Sequence, residues 1–150
     1  MEFTPSKLNT FLLVKLPSAY FSGVRVKQIT TEKCTASVKH RWINQNPFNS
    51  MYFAVQAMAA ELTTGALVMY HIKNSGKKIS MLVANNKGNF SKKAKGRITF
   101  TCNDGHLIAD AIAKTVATGD GQTFWMKSIG VDEQGDQVSE MDFEWSVRVK

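Results

Sequence analysis

Cysteine is nearly absent. Cys34 and Cys102 are the only two in 150 residues, they stand far apart, and neither belongs to a CxxC or Cys/His cluster. That spacing speaks against a disulfide framework or a thiolate metal site and leaves both as reduced core residues. The common enzyme signatures are missing as well: there is no GxSxG nucleophile elbow, HExxH helix, phosphate-binding P-loop or GxGxxG turn. His40, His71 and His106 are isolated from one another and the acidic residues are scattered, so no metal and no other cofactor is expected. The segment Glu2-Phe3-Thr4-Pro5-Ser6-Lys7 lacks a basic stretch leading into an apolar run, so no signal peptide is read and the cytosol is the expected compartment.

Negative charge is missing from one long stretch. Between Glu61 and Asp104 there is no acidic residue, while Lys73, Lys77, Lys78, Lys87, Lys92, Lys93, Lys95 and Arg97 fall inside it; the whole chain carries +7. Such a strip favours a phosphorylated ligand, a nucleic acid or an anionic surface, and a merely solvated basic face is the competing reading. A mean hydropathy of -0.20 with 43% hydrophobic and 21% charged residues is ordinary for a globular protein, which excludes disorder. No internal repeat or linker appears, so residues 1–150 are read as a single domain.

Hydrophobic periodicity supplies the elements. Leu8, Phe11, Leu12, Val14 and Leu16 suggest a short helix ending at Pro17. Val24 and Val26, then Cys34, Ala36, Val38, His40 and Trp42, alternate with polar residues and predict two strands joined through residues 30–33. Residues 44–50 are rich in turn and capping types and lead into residues 51–69, apolar on nearly every side, which predicts a buried central helix. Gln56, Glu61, Thr63 and Thr64 interrupt that run, which argues against a membrane span. Residues 79–84 and 97–102 read as strands joined by the polar segment 85–95, and Asp104 as the cap of a helix running to Val116 and stopping at Gly119-Asp120-Gly121. Residues 124–131 and 138–149 read as a hairpin around 132–136. A helix that is apolar all round has to be wrapped, and a curved antiparallel sheet with one apolar face can do so. The expected fold class is therefore α+β.

The residues with chemical potential cluster in Asn44-x-Asn46-Pro47-Phe48-Asn49-Ser50-Met51-Tyr52, followed by Ala59-Ala60-Glu61-Leu62 and Gly65. This segment resembles the loop and central helix of the hotdog-fold thioesterase superfamily, particularly a branch of small bacterial proteins with an Asn-x-Asn loop, a Ser-Met-Tyr helix start and an Ala-Glu-Leu middle. The resemblance implies a hotdog fold, a curved antiparallel sheet wrapped around the long central apolar helix. It also implies hydrolysis of an acyl thioester in a site shared between two subunits. Better-known members open the helix with His-Gly-Gly nine residues before the acidic residue; here Tyr52-Phe53-Ala54 stands there and Glu61 takes the acidic position. Asn49 stands where the closer branch usually has glycine.

Thioester hydrolysis needs donors for a developing oxyanion, which backbone N–H groups near Tyr52 and Phe53 can supply, and a base or nucleophile, for which Glu61 is the sole carboxylate in the apolar run. Tyr52, Phe53 and Glu61 are thus the catalytic candidates. Asn44, Asn46, Asn49 and Ser50, with Lys92, Lys93, Lys95 and Arg97 for phosphates, are the substrate-binding candidates. Plain capping by Asn44, Asn46 and Ser50 and a structural role for Glu61 are the alternatives at those positions. The expected substrate is acyl-CoA or another acyl thioester. The expected assembly is a homodimer, with a dimer of dimers left open, and neither nucleic acid nor membrane is an expected partner. Phe100 alternates with Ile98 and Cys102 and should face the core, which weakens a nucleic-acid reading. A non-catalytic acyl-CoA or acyl-carrier binding module is the alternative function.

Overall fold

The computed structural model describes residues 2–150. Thr4 caps α1 (Pro5–Lys15) by accepting the Lys7 N–H, and Pro5 stands in its first turn, where a missing N–H costs nothing. Pro17 ends that helix as expected, but it also opens a second one, α2 (Pro17–Phe21). A proline cannot continue a helix and can begin one. β1 (Arg25–Ile29) and β2 (Cys34–Lys39) pair antiparallel across the short connection at residues 30–33.

β2 stops at Lys39 and does not run on to Trp42. The Arg41 N–H is captured by Asn44 Oδ1 at 2.8 Å, and Trp42–Asn44 closes into a 3-10 turn that leaves Trp42 on the surface. The central helix α3 (Phe53–Ser75) ends at Gly76, whose φ of 67° is the left-handed conformation that glycine adopts without cost. β3 (Ile79–Phe90) is twice as long as expected, because residues 85–90 extend the strand and do not form a connection. Each of its polar residues finds a partner opposite on β6, with Asn85 Nδ2 donating to Glu144 Oε1 at 2.7 Å. Asparagine and lysine disfavour strands intrinsically, yet a solvated edge strand tolerates them and is protected by them.

β4 (Arg97–Cys102), α4 (His106–Thr118), β5 (Gln122–Val131) and β6 (Gln137–Val149) complete the chain. Asp104 does not cap α4: its carboxylate accepts the Lys127 N–H at 2.8 Å, and Gly105 stands at the cap, where a Cβ would lie 2.1 Å from the Thr31 carbonyl oxygen. The six strands form one antiparallel sheet in the order β1-β2-β4-β5-β6-β3. Irregularities at Val26/Gln28, Val83/Asn85 and Gly130/Val131 add local twist, which curves the sheet.

α3 lies in the concave face, packed against β2, β4 and β5, with α4 beside it. Val55, Ala59, Leu62, Ala66 and Leu67 meet Val38, Ile98, Phe100, Met126 and Trp145 in a single core. Two hydrogen bonds tie helix to sheet: Thr63 Oγ1 to Ser128 Oγ at 2.8 Å, and Trp145 Nε1 to Thr64 Oγ1 at 2.8 Å. Both thiols are buried and free, facing one another across β2 and β4, and burial pushes each up to about 12. The fold is the expected hotdog arrangement with one correction. α3 is not wrapped on every side in one copy, since Ala54, Ala57, Met58, Glu61 and Met69 form a half-exposed stripe.

Candidate active site

The loop before α3 is built on two asparagines. Asn44 is buried and fully committed: Nδ2 donates to the Ser22 and Lys39 carbonyls, both at 2.9 Å, and Oδ1 accepts from Arg41. Its backbone carbonyl accepts the Tyr52 N–H at 2.9 Å, which sets where the helix begins. Asn46 Oδ1 accepts the N–H groups of Phe48 and Ser50, and its Nδ2 donates to Ser50 Oγ and the Met51 carbonyl. Asn49 adopts φ 58°, which asparagine tolerates better than most residues and glycine better still.

These contacts fix where three of the candidate residues stand. Asn44 is buried with both Nδ2 hydrogens and its Oδ1 engaged within the fold, Asn49 lies outside the cavity lining, and the Tyr52 N–H is already engaged. The first two N–H groups of α3, on Phe53 and Ala54, have no acceptor among the described residues, and Tyr52 supplies no side-chain cap. They stand at the positive end of a 23-residue helix. A cavity of about 640 Å³ opens there, lined among others by Asn46, Phe48, Ser50, Phe53, Gln56, Phe90, Lys92 and Lys93.

The basic strip divides on inspection. Lys92 is held by Asp132 at 2.6 Å and Asp136 at 2.7 Å, so its charge is neutralised within the β5–β6 turn. The same ammonium holds the Asp132 carboxyl below its ordinary range. Lys93 Nζ makes only a 3.3 Å contact with the Phe48 carbonyl and stays at the cavity rim. Lys95 and Arg97 do not line the cavity; Arg97 donates to Ser37 Oγ and its N–H to Glu133.

Glu61 sits elsewhere. Eight residues at 1.5 Å rise place it about 12 Å along the axis from Phe53. It lines two smaller cavities, of about 270 and 60 Å³, between α3 and the α1–α2 corner. Its carboxylate has no hydrogen-bond or ion-pair partner among the described residues, and burial raises its pKa above the ordinary carboxylate value. Gly65, one turn on, makes room for the Trp145 ring, which a Cβ there would approach to 3.1 Å. Within one copy, the oxyanion donors and the carboxylate do not meet.

Sequence reading missed Gln56 and Phe90 as cavity residues. A glutamine inside an apolar helical run was the available signal for the first; the second depends on β3 extending beyond residue 84. Among the described residues no cluster of His, Cys, Asp and Glu could hold a metal ion, and no helix is long and apolar enough to cross a membrane.

Residues 7–147 match the model of a family described as a domain of unknown function, DUF4442. The chain belongs to this family. No curated protein matches the sequence. Among solved structures, a Pseudomonas aeruginosa protein of unknown function described as a probable thioesterase is similar, with TM-score 0.80 at 22% identity, covering 98% of this chain and 97% of its own. A protein of unknown function from Chlorobaculum tepidum has TM-score 0.83 at 13% identity, with 97% and 94% covered. A Haemophilus influenzae thioesterase has TM-score 0.73 at 13% identity, with 99% and 93% covered. At these identities the likeness shows the shared fold.

Proposed function

We propose that the chain hydrolyses an acyl thioester, with acyl-CoA as the substrate, in a site completed by a second copy. The observation that carries this reading is Glu61, a desolvated carboxylate without a partner, facing the open stripe of a helix whose N-terminal N–H groups are also unpaired. A partly buried acid without a partner is costly unless it has a task. Burial also makes it a stronger base near neutral pH. Thioesterase descriptions among proteins of the same fold support the reaction class.

In the proposed reaction the thioester carbonyl oxygen lies against the Phe53 and Ala54 N–H groups of one copy. Glu61 of the other takes a proton from water as that water attacks the carbonyl carbon. The tetrahedral intermediate collapses by breaking the C–S bond, and the thiolate leaves with the proton returned by Glu61. Assembly of two copies is required because the 12 Å offset forbids contact of one carbonyl with both groups in a single chain. The outer edge of β3 is unpaired along twelve residues and is the natural place for antiparallel pairing with another copy.

Replacing Glu61 by Gln keeps volume and removes the base. A loss of about 100-fold or more in kcat is expected, with acyl-CoA binding retained. Full activity of a folded Glu61→Gln protein would remove Glu61 from the mechanism, and binding without turnover by the native chain would favour the acyl-binding module.

A further inference from the structure

Trp42 and Ile43 stand outside the core that buries most of the large apolar side chains. Alternation places Trp42 in a strand, but it is 82% exposed, and Ile43 beside it is 55% exposed. Neighbouring apolar side chains left on a surface mark a contact with something else. Hydrogen bonds fix where these two stand. Asn44 Nδ2 donates to the Ser22 and Lys39 carbonyls, both at 2.9 Å, so the 3-10 turn is held between the end of α2 and the end of β2. Phe21, the residue before Ser22, is 61% exposed at the same end. The His40 N–H donates to the Gly96 carbonyl at 2.8 Å, which brings the start of β4 there too.

The charge at this end has one dominant sign. Lys39 and Arg97 are partners across β2 and β4, Arg41 precedes Trp42, Lys95 precedes Gly96, and all are exposed. Glu133 also reaches this end, where its carboxylate accepts the Arg97 N–H at 2.7 Å and offsets one of these charges. The surface thus combines a protruding tryptophan, isoleucine and phenylalanine with an excess of positive charge. A second copy seated on the same face would set these cations against their own images. A bilayer with anionic headgroups supplies the opposite charge and a deformable apolar layer, and tryptophan concentrates at that boundary. The interrupted apolar run of α3 speaks against crossing a membrane and leaves contact with its surface open. We propose that this end of the molecule docks on an anionic phospholipid bilayer, with Phe21, Trp42 and Ile43 at the headgroup level and Lys39, Arg41 and Lys95 against the lipid phosphates. This contact is independent of the thioesterase chemistry.

Vesicle flotation tests this with the whole chain. The native protein should bind phosphatidylcholine vesicles containing about 30% phosphatidylglycerol at least about 10-fold more tightly than phosphatidylcholine alone, and about 0.5 M salt should weaken that binding. Tryptophan emission should shift to the blue on binding, because Trp42 leaves water for the headgroup layer. Trp42→Ala should bind about 10-fold more weakly and show no blue shift at saturating lipid. Its unfolding midpoint should be unchanged, since the side chain is already exposed. Lys39→Glu combined with Lys95→Glu should lose at least about 10-fold on anionic vesicles and leave any binding to neutral ones unchanged. Failure of the native protein to float with anionic vesicles, equal binding to neutral ones, or a blue shift that survives Trp42→Ala overturns the inference. So does an oligonucleotide that binds more tightly than the vesicles and loses its affinity in Trp42→Ala, which would assign the surface to a nucleic acid. A change of oligomeric state in Trp42→Ala would likewise overturn it and assign the surface to a second copy.

Discussion

Replacing Asn44 by Ala tests whether the asparagine loop is architecture or ligand contact. The side chain is 2% exposed and its three hydrogen bonds, at 2.8 to 2.9 Å, join the end of α2, the end of β2 and the turn before α3. Alanine would leave two carbonyls and one N–H without their partner. A buried polar group left unpaired costs about 1–3 kcal/mol, and partial access of water to this loop puts each near the lower end, so the sum is about 3 kcal/mol. With a urea m-value of about 2 kcal/mol/M, the midpoint should fall by roughly 1.5 M with m unchanged. Asn44→Asp should lose at least as much, because a carboxylate would face the Ser22 and Lys39 carbonyl oxygens. An Asn44→Ala protein with an unchanged midpoint and lost acyl-CoA binding would refute the structural role and restore Asn44 as a ligand residue.

Glu61→Gln should raise stability at neutral pH while removing activity. Burial raises the folded-state pKa of Glu61, so between the ordinary and the raised value the folded chain binds more protons and stability falls as pH rises. The thermal advantage of the glutamine variant should therefore be complete above the raised value and vanish below about pH 4, as differential scanning from pH 4 to about pH 8 would show. A destabilised variant would mark Glu61 as a structural partner. Lys93→Glu should weaken acyl-CoA binding and spare the N-acetylcysteamine thioester, which has no phosphate. Lys92→Glu should instead loosen the β5–β6 turn by setting three carboxylates together, seen as a lower melting temperature. Equal effects of Lys93→Glu on both thioesters would remove it from phosphate binding. Sedimentation at micromolar concentration should show a homodimer, and a stable monomer would contradict the shared site.

Apart from the short α2, the sequence by itself determined the element types and their order, because burial on one face of a strand and all round a helix is written as periods of 2 and 3.6. Met141, Phe143, Trp145, Val147 and the intervening polar residues identified β6, and the apolar run after residue 50 identified α3. Glu61 also stood out, since a lone acid in such a run is visible without coordinates. The ends of the elements depended on bonds to residues distant in the chain. β3 continues through strand-averse residues only because β6 lies beside it. Local composition carries no trace of that partner. The same reason separated Lys92 from Lys93: adjacent and chemically identical, they differ because Asp132 and Asp136, some forty residues later, fold back onto only one of them. Tertiary structure also decided that the helix N-terminus and Glu61 border different cavities. Sequence spacing gave their separation along the axis, but which sides the sheet and the N-terminal helices cover is a property of packing.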